Sequence, residues 1–231
     1  MVQVNNQQLK IRVKFKKVGR LQYISHLDLV RTMNKIIVRA GLPLWYTEGF
    51  NPKPKMVFAA PLSIGTESKT EYMDIRLSEY IEPEVVKSKL NENMTDEMQV
   101  LDAYYPETKF TDLKWLSYTF VIKTEGADAL LVERCGAALA EEELWVLKST
   151  KSGEAMVDIR PLVRSAVCVL DGDLLRINAH LSADPSSFLN PEYIIKLLRG
   201  KCGILSNGDL TSEWYSIMRE RAYLDDMTEF R

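Results

Sequence analysis

Cysteine and histidine are scarce in this chain of 231 residues. The three cysteines stand far apart, at positions 135, 168 and 202, and there are only two histidines. Such an odd and scattered set predicts reduced, buried thiols rather than a disulfide framework. No Cys/His cluster has the spacing of a zinc or iron–sulfur site, so we expect no metal and no cofactor in this chain.

Long apolar runs are missing as well. No stretch approaches the ~20 consecutive apolar residues that a membrane helix needs, and the polar residues 1–8 contain no hydrophobic signal region. The sequence also has no glycine-rich phosphate loop and no nucleophile elbow. We therefore expect a cytoplasmic protein that does not contact membranes, and no catalytic motif of these kinds points to an enzyme.

Positive charge is concentrated at one end of the chain. Residues 1–60 contain eleven Lys or Arg and two acidic residues, a net charge of +9. Because the whole chain is −2, residues 61–231 sum to −11. This asymmetry favours a polyanionic partner at the N-terminal end. The alternative is that the two ends neutralise each other when the chain folds.

The alternation of residues 9–16 predicts a β-strand. Apolar side chains at odd positions alternate with four cations and no acid at even positions, and a period of two is the signal of a strand with two different faces. A solvated face usually mixes both signs of charge. We therefore predict that this strand presents an exposed row of cations to phosphates, formed by Lys10, Arg12, Lys14 and Lys16.

A helix is predicted to follow. Ser25 is a suitable N-cap and Asp28 lies three residues on, as in a capping box. Apolar residues recur at helical spacing, at Leu27, Val30, Met33, Ile36, Ile37 and Ala40. Three basic residues four positions apart form a ridge on the helix; they are Arg31, Lys35 and Arg39.

The order of predicted elements in residues 1–107 is β-α-β-β-α-β, which is the ferredoxin-like arrangement. Residues 106–113 are polar and fit a linker, and a similar pattern of strands and helices follows in 114–231, with a poorly patterned tail after residue 205. The predicted fold class is therefore α+β, with two ferredoxin-like halves built on antiparallel sheets. The first half is a basic domain and the second an acidic domain with an irregular C-terminal tail.

The proline-framed loop of residues 49–55 is the second candidate binding feature. Two prolines stiffen it, and Lys53 and Lys55 lie close to Phe50. Cations beside an exposed ring suit single-stranded nucleic acid, in which phosphates take the charge and a base stacks on the ring. In the alternative interpretation Phe50 fills the core and the loop is an ordinary turn.

His26 is a weak catalytic candidate in the first turn of the predicted helix. A neutral imidazole beside a basic face can act as a base on a ribose hydroxyl. The simpler alternative is a structural hydrogen bond, because spacing alone supplies no second titratable partner.

Together these features give one predicted nucleic-acid-binding set and no other catalytic or metal residue. The set comprises Lys10, Arg12, Lys14, Lys16, Lys17, Arg20, His26, Arg31, Lys35, Arg39, Phe50, Asn51, Lys53 and Lys55.

Several of these segments also resemble a bacterial family of unknown function that is linked to radical-SAM enzymes. The segments that carry the resemblance are residues 12–19, the Tyr-Ile-Ser-His-Leu-Asp-Leu-Val-Arg stretch at 23–31, Arg-Ala-Gly-Leu-Pro at 39–43 and Gly-Phe-Asn-Pro-Lys-Pro-Lys at 49–55. The match continues at Pro61, Leu62, Gly65, Glu67, Ser68, Glu71 and Tyr72, and again in Asp-Ile-Arg-Pro at 158–161. The family usually has histidine where this chain has Lys53, which weakens any scheme that pairs His26 with a second histidine.

The resemblance implies a partner rather than a reaction. Members of that family are often fused to, or encoded beside, radical-SAM enzymes, so it implies a partner protein that carries the iron–sulfur cluster and S-adenosylmethionine. Our leading hypothesis is a non-catalytic RNA-binding accessory that delivers tRNA or rRNA to a radical-SAM RNA-modification enzyme. The alternatives are an RNA endonuclease that uses His26 and a protein–protein adaptor for a radical-SAM partner.

Overall fold

The computed structural model of the chain describes residues 9–150 and 153–231, and the polar start at residues 1–8 lies outside them. The described part has a mixed α+β fold with four α-helices and antiparallel sheets. No helix in these ranges combines the length and apolarity needed to cross a membrane. The described residues up to Phe110, together with Arg231, form one compact unit, and Thr111–Phe230 form the other. We call them unit 1 and unit 2.

Unit 1 follows the element order expected from its sequence. Its elements are β1 (Leu9–Lys17), α1 (His26–Arg39), β2 (Met56–Phe58), β3 (Thr66–Leu77), α2 (Pro83–Asn91) and β4 (Val100–Tyr104). The strand order in its sheet is β4-β1-β3-β2, and every neighbouring pair is antiparallel. Residues 44–47 form only isolated bridges, in which Leu44 pairs with Leu77 and Tyr46 with Pro54.

The core of unit 1 lies between its sheet and the two helices. The odd residues of β1, Ile11, Val13 and Phe15, are completely buried. They belong to one cluster with Met33 and Ile37 of α1. Burial of this apolar face stabilises the unit by roughly 25 cal/mol for each Å² removed from water. One position of the predicted helix stripe is wrong, because Leu27 is exposed and Leu29 is buried in its place.

Unit 2 contains four antiparallel sheet strands and one separate hairpin. Its elements are β5 (Trp115–Lys123), α3 (Ala129–Leu139), β6 (Trp145–Thr150), β7 (Gly153–Asp158), β8 (Val163–Asp171), β9 (Leu174–Ser182), α4 (Glu192–Cys202) and β10 (Trp214–Tyr223). Within this unit the strand order is β10-β5-β9-β8, and β6 pairs only with β7.

One expectation for unit 2 is wrong. The tail after residue 205 was expected to be irregular, but it contains β10, whose register pairs it with β5 from Trp214 opposite Lys123 to Tyr223 opposite Trp115. Tertiary pairing thus organises a segment with a weak local pattern. Helix α4 continues past Gly200 to Cys202, and Gly203 supplies the left-handed C-cap at φ 71°.

Candidate nucleic-acid interface

The cations of β1 do not form the exposed row that alternation predicts. Arg12 is completely buried. Its Nε donates to Oδ1 of Asp74 at 2.7 Å and its Nη2 donates to Oδ2 of the same carboxylate at 3.1 Å. This two-point pairing satisfies the buried charge, which would be costly without a partner.

Other groups of unit 1 complete the surroundings of Arg12. Its Nη1 donates to the hydroxyl of Thr108 at 2.8 Å and to the backbone carbonyl of Arg231 at 3.2 Å. Its guanidinium lies 4.3 Å from the ring centroid of Phe110. The inclusion of Arg12 in the predicted exposed row is therefore wrong, because Thr108, Phe110 and the Arg231 carbonyl cover its guanidinium.

The neighbouring cations of β1 are also engaged. Nζ of Lys10 lies 3.3 Å from Asp74. Lys17 is buried, and its Nζ donates to the carbonyl of Leu21 at 3.0 Å, so its inclusion in the predicted nucleic-acid-binding set is also wrong. Lys14 and Lys16 are half-buried, and Nζ of Lys14 lies 5.8 Å from the Tyr72 ring centroid. This strand therefore offers little free positive charge to a partner.

Arg20 lies just beyond β1 and is the most exposed cation of this region. Its side chain is 94% exposed, and its Nε lies 3.8 Å from Glu97. An ion pair this long and this exposed contributes little, so Arg20 can still turn toward a phosphate.

Helix α1 presents the basic ridge as predicted. The Ser25 hydroxyl accepts a hydrogen bond from the backbone N–H of Asp28 at 3.1 Å and donates to Oδ2 of Asp28 at 2.7 Å. The second bond is the main reason why the pKa of Asp28 is lowered from 3.8. The helix buries Leu29, Met33 and Ile37 and leaves the opposite face in solvent. Its cap and its apolar stripe thus fix the direction in which the ridge points.

The three residues of the ridge differ in their pairing. Arg31 lies 3.3 Å from Asp28, in an exposed contact along the helix. Lys35 and Arg39 are exposed, and neither makes an ion pair with any residue of ranges 9–150 and 153–231. Like charges four residues apart destabilise a helix by a few tenths of a kcal/mol, and an anion bound to the ridge would offset that repulsion.

Backbone hydrogen bonds between residues 45–47 and 53–55 hold the two ends of the proline-framed loop together. The N–H of Thr47 donates to the carbonyl of Lys53 at 2.8 Å, and the N–H of Lys55 donates to the carbonyl of Trp45 at 2.9 Å. Phe50 is fully exposed, so the alternative in which its ring fills the core is wrong. The side chains of Asn51, Lys53 and Lys55 are exposed too, and the set of loop residues predicted to bind RNA is accessible.

A groove of about 460 Å³ lies between α1 and this loop. Its lining residues are Arg31, Asn34, Lys35, Val38, Arg39, Lys53 and Pro54. We call it the basic groove. Four of its seven lining residues are cations and none is acidic, so it attracts anionic ligands. Val38, half exposed, and Pro54 supply apolar contact area beside the charges.

Sequence reasoning missed the uncharged members of the groove, although a signal for two of them was present. Asn34 and Val38 are four residues apart, and each comes directly before a ridge residue. Helical spacing alone therefore places them beside the ridge, on the same side of α1. Val38 is an apolar residue on an otherwise polar helix face, and this is the signal that could have indicated a binding surface there. No sequence signal brings Pro54 to this helix, because the contact depends on the path of the loop.

His26 lies outside the basic groove, in a separate cavity of about 370 Å³. Its exposed ring contacts Phe58 edge to face, with centroids 5.4 Å apart and planes at 79°. The other lining residues come from Val30 and residues 56–61, and none of them is titratable. The geometry therefore supplies no acid–base partner for the endonuclease hypothesis.

The cysteines give no support for a resident metal. No group of three His, Cys, Asp or Glu within the described ranges is arranged to hold a metal ion. Burial raises the pKa of Cys168 to about 11 and also raises the pKa of Cys135. These thiols therefore stay protonated near neutral pH, and a thiol is a poor metal ligand compared with a thiolate.

Comparison with known proteins gives a family and a fold. The sequence model of a family described as an uncharacterized protein conserved in bacteria, DUF2344, matches residues 10–191. No curated protein matches the chain. A chain in the crystal structure of a Cbf5-Nop10-Gar1 complex aligns with a TM-score of 0.51 at 10% identity, covering 93% of this chain and 49% of that one. This chain thus spans about half the length of that relative.

A second solved structure, an unknown protein from Galdieria sulphuraria, covers 92% of this chain and 99% of its own at 10% identity, with a TM-score of only 0.26. That score is too low to support a statement about fold. The likeness to the chain from the Cbf5-Nop10-Gar1 complex concerns fold alone, because its sequence identity is so low.

Proposed function

The chain belongs to the family of uncharacterized bacterial proteins DUF2344, and for this member we propose a role as a non-catalytic, cytoplasmic RNA-binding protein. The observation that carries the proposal is the basic groove: Lys35, Arg39 and Lys53 surround it without an ion pair in the described part of the chain. Phosphates of the RNA backbone occupy the groove, and Phe50 offers its exposed ring to a base.

The shape of the site favours a single strand. Bases of single-stranded segments are free to stack on aromatic rings, whereas those of a duplex are already stacked on each other. Phe50 projects from a stiff loop whose two prolines limit the entropy lost on binding. In tRNA or rRNA, an unpaired loop is therefore the expected contact.

The proposal also includes a partner protein. The motif resemblance of residues 9–80 supports association with a radical-SAM RNA-modification enzyme, which would supply the iron–sulfur cluster and S-adenosylmethionine. In this scheme unit 1 holds the RNA while the partner modifies it. Co-purification with such an enzyme that is lost after nuclease treatment supports an RNA bridge, whereas co-purification that survives nuclease supports the protein–protein adaptor instead.

We also propose that both units have a ferredoxin-like fold. The chain order β-α-β-β-α-β and strand order β4-β1-β3-β2 of unit 1 support it. Unit 2 repeats that order as β10-β5-β9-β8 if the β6–β7 hairpin is treated as an insertion. An experimental structure of the chain tests this topology directly.

Fluorescence anisotropy with short single-stranded RNAs at low and moderate salt tests the RNA-binding proposal. We expect binding that weakens as salt rises, because each phosphate contact releases counterions. The triple variant Lys35→Glu, Arg39→Glu, Lys53→Glu should abolish binding without loss of stability. A matched control reverses three exposed cations of unit 2, Arg164, Lys196 and Arg221. No binding at low salt, or equal losses in both variants, would overturn the proposal.

A further inference from the structure

The cavity that contains His26 adjoins the basic groove. Val30 lines the cavity and Arg31 lines the groove, while Pro54 lines the groove and Met56 the cavity. Helix α1 and the stretch of chain after it therefore contribute residues to both sites. At about 370 Å³ the cavity falls within the range of roughly 300–1,000 Å³ that is typical of small-ligand sites.

These two neighbouring sites differ in chemistry. The basic groove is lined mainly by cations, but the His26 cavity is lined by aliphatic side chains, a proline and the rings of His26 and Phe58. Proteins that bind unpaired RNA bases stack them on aromatic or imidazole rings. The rings of His26 and Phe58 meet edge to face, so Phe58 covers at most one face of the His26 ring. A third aromatic group can stack on the face that remains.

The outer edge of β2 adds hydrogen-bonding groups to this cavity wall. The N–H of Arg76 donates to the carbonyl of Lys55 and the N–H of Ala59 donates to the carbonyl of Tyr72, both across to β3. In an antiparallel pair the direction of the backbone groups alternates along the strand. The N–H and C=O of Met56 and Phe58 therefore point to the other edge, where β2 pairs with no strand among those described.

We infer that the His26 cavity binds one unstacked nucleobase. The inference rests on the proposed RNA-binding function, because the phosphates on either side of that base would lie in the basic groove. The base stacks against the imidazole of His26, and its donor and acceptor groups meet the free backbone groups of Met56 and Phe58. His26 is then a binding residue and not a general base.

The two histidines of the chain make a direct test practical. Proton NMR resolves two imidazole signals, which the His26→Ala and His180→Ala variants assign. Each of the four ribonucleoside 5′-monophosphates is titrated into the full chain. We expect the His26 signal to move upfield with at least one of them, because a stacked base shields the ring protons, while the His180 signal stays in place.

Ribose 5-phosphate serves as the matched probe without a base. A shift of the His26 signal that needs the base supports the nucleobase pocket. An unmoved His26 signal, or an equal shift with ribose 5-phosphate, overturns it. Uncharged adenosine and uridine should shift the same signal in the Lys35→Glu, Arg39→Glu, Lys53→Glu variant, since the cavity does not use those charges.

RNA affinity separates this inference from the proposed function. The His26→Ala variant should bind single-stranded RNA about fivefold or more weakly, as removal of one stacking contact costs ~1–3 kcal/mol. The control Leu27→Ala changes an exposed neighbour that does not line the cavity and should bind normally. Tight RNA binding with an unmoved His26 signal overturns the pocket alone. A base-dependent His26 shift without RNA binding overturns the proposed function and supports the pocket.

Discussion

Strand β1 and helix α1 both carry cations at regular intervals, but the fold gives them opposite environments. In β1 the guanidinium of Arg12 is buried against Asp74 and covered by Phe110. In α1 the side chains of Lys35 and Arg39 extend into solvent and make no ion pair in the described ranges. The sheet has two faces that other parts of unit 1 can cover, whereas the ridge lies on the side of α1 that faces away from the core.

The comparison teaches that a row of like charges is evidence for binding only where its counter-charges are missing. Asp74 stands directly opposite Arg12 in the β1–β3 register and neutralises it across strands. Helix α1 itself contains one acid, Asp28, in its first turn. Cations thus stabilise the fold in one place and leave an unneutralised surface in the other.

The largest expected effect follows from removing the buried counter-charge. The Asp74→Ala variant should lose about 3–5 kcal/mol of unfolding free energy, because it leaves the Arg12 guanidinium buried without its carboxylate. Denaturant unfolding measures this loss. The control is Asp28→Ala, which breaks the exposed pair with Arg31 and should have a much smaller effect. Similar losses in the two variants would contradict the contrast between β1 and α1.

A salt titration of RNA binding should distinguish β1 from α1, with an effect of intermediate size. The double variant Lys35→Ala, Arg39→Ala should reduce the slope of log affinity against log salt by about 1.4, since each phosphate contact of a single strand contributes roughly 0.7. The matched variant Lys14→Ala, Lys16→Ala on β1 should leave the slope unchanged. A smaller slope in the β1 variant would show that this strand contacts phosphates after all.

The smallest expected effect concerns the pH dependence of the first turn of α1. The Ser25 hydroxyl bond lowers the pKa of Asp28 from 3.8 in the folded state. A lowered folded-state pKa contributes stability that is present above the unfolded value and is lost as pH falls through the folded value. The Ser25→Ala variant should therefore raise the Asp28 midpoint in a carboxyl NMR titration. An unchanged midpoint would mean that the hydroxyl does not hold this carboxylate.

Much of unit 1 could be predicted from local sequence patterns. The alternation of β1, the Ser25 cap of α1 and the start of α2 at Pro83 are all present in the structure. These features depend on neighbours within a few residues, and local signals report them well. The exposed ridge and the accessible Phe50 followed from the same reasoning, although Phe50 had two open interpretations.

Other features were not predictable because distant residues create them. Strand β10 forms by pairing with β5, which lies about ninety residues earlier in the chain. The basic groove needs Lys53 and Pro54 beside α1, and the His26 cavity needs β2 beside the start of that helix. No periodicity within one segment contains this information.

The sequence by itself determined where the cations are concentrated, that β1 is a strand and α1 a helix, and which face of α1 is apolar. These properties depend on residue type and on spacing along one element. Only the tertiary structure decided which cations remain exposed, because burial depends on which other segment covers a face. Arg12 is paired with a carboxylate and covered by other residues, whereas Lys35 and Arg39 are exposed to solvent at the edge of a groove.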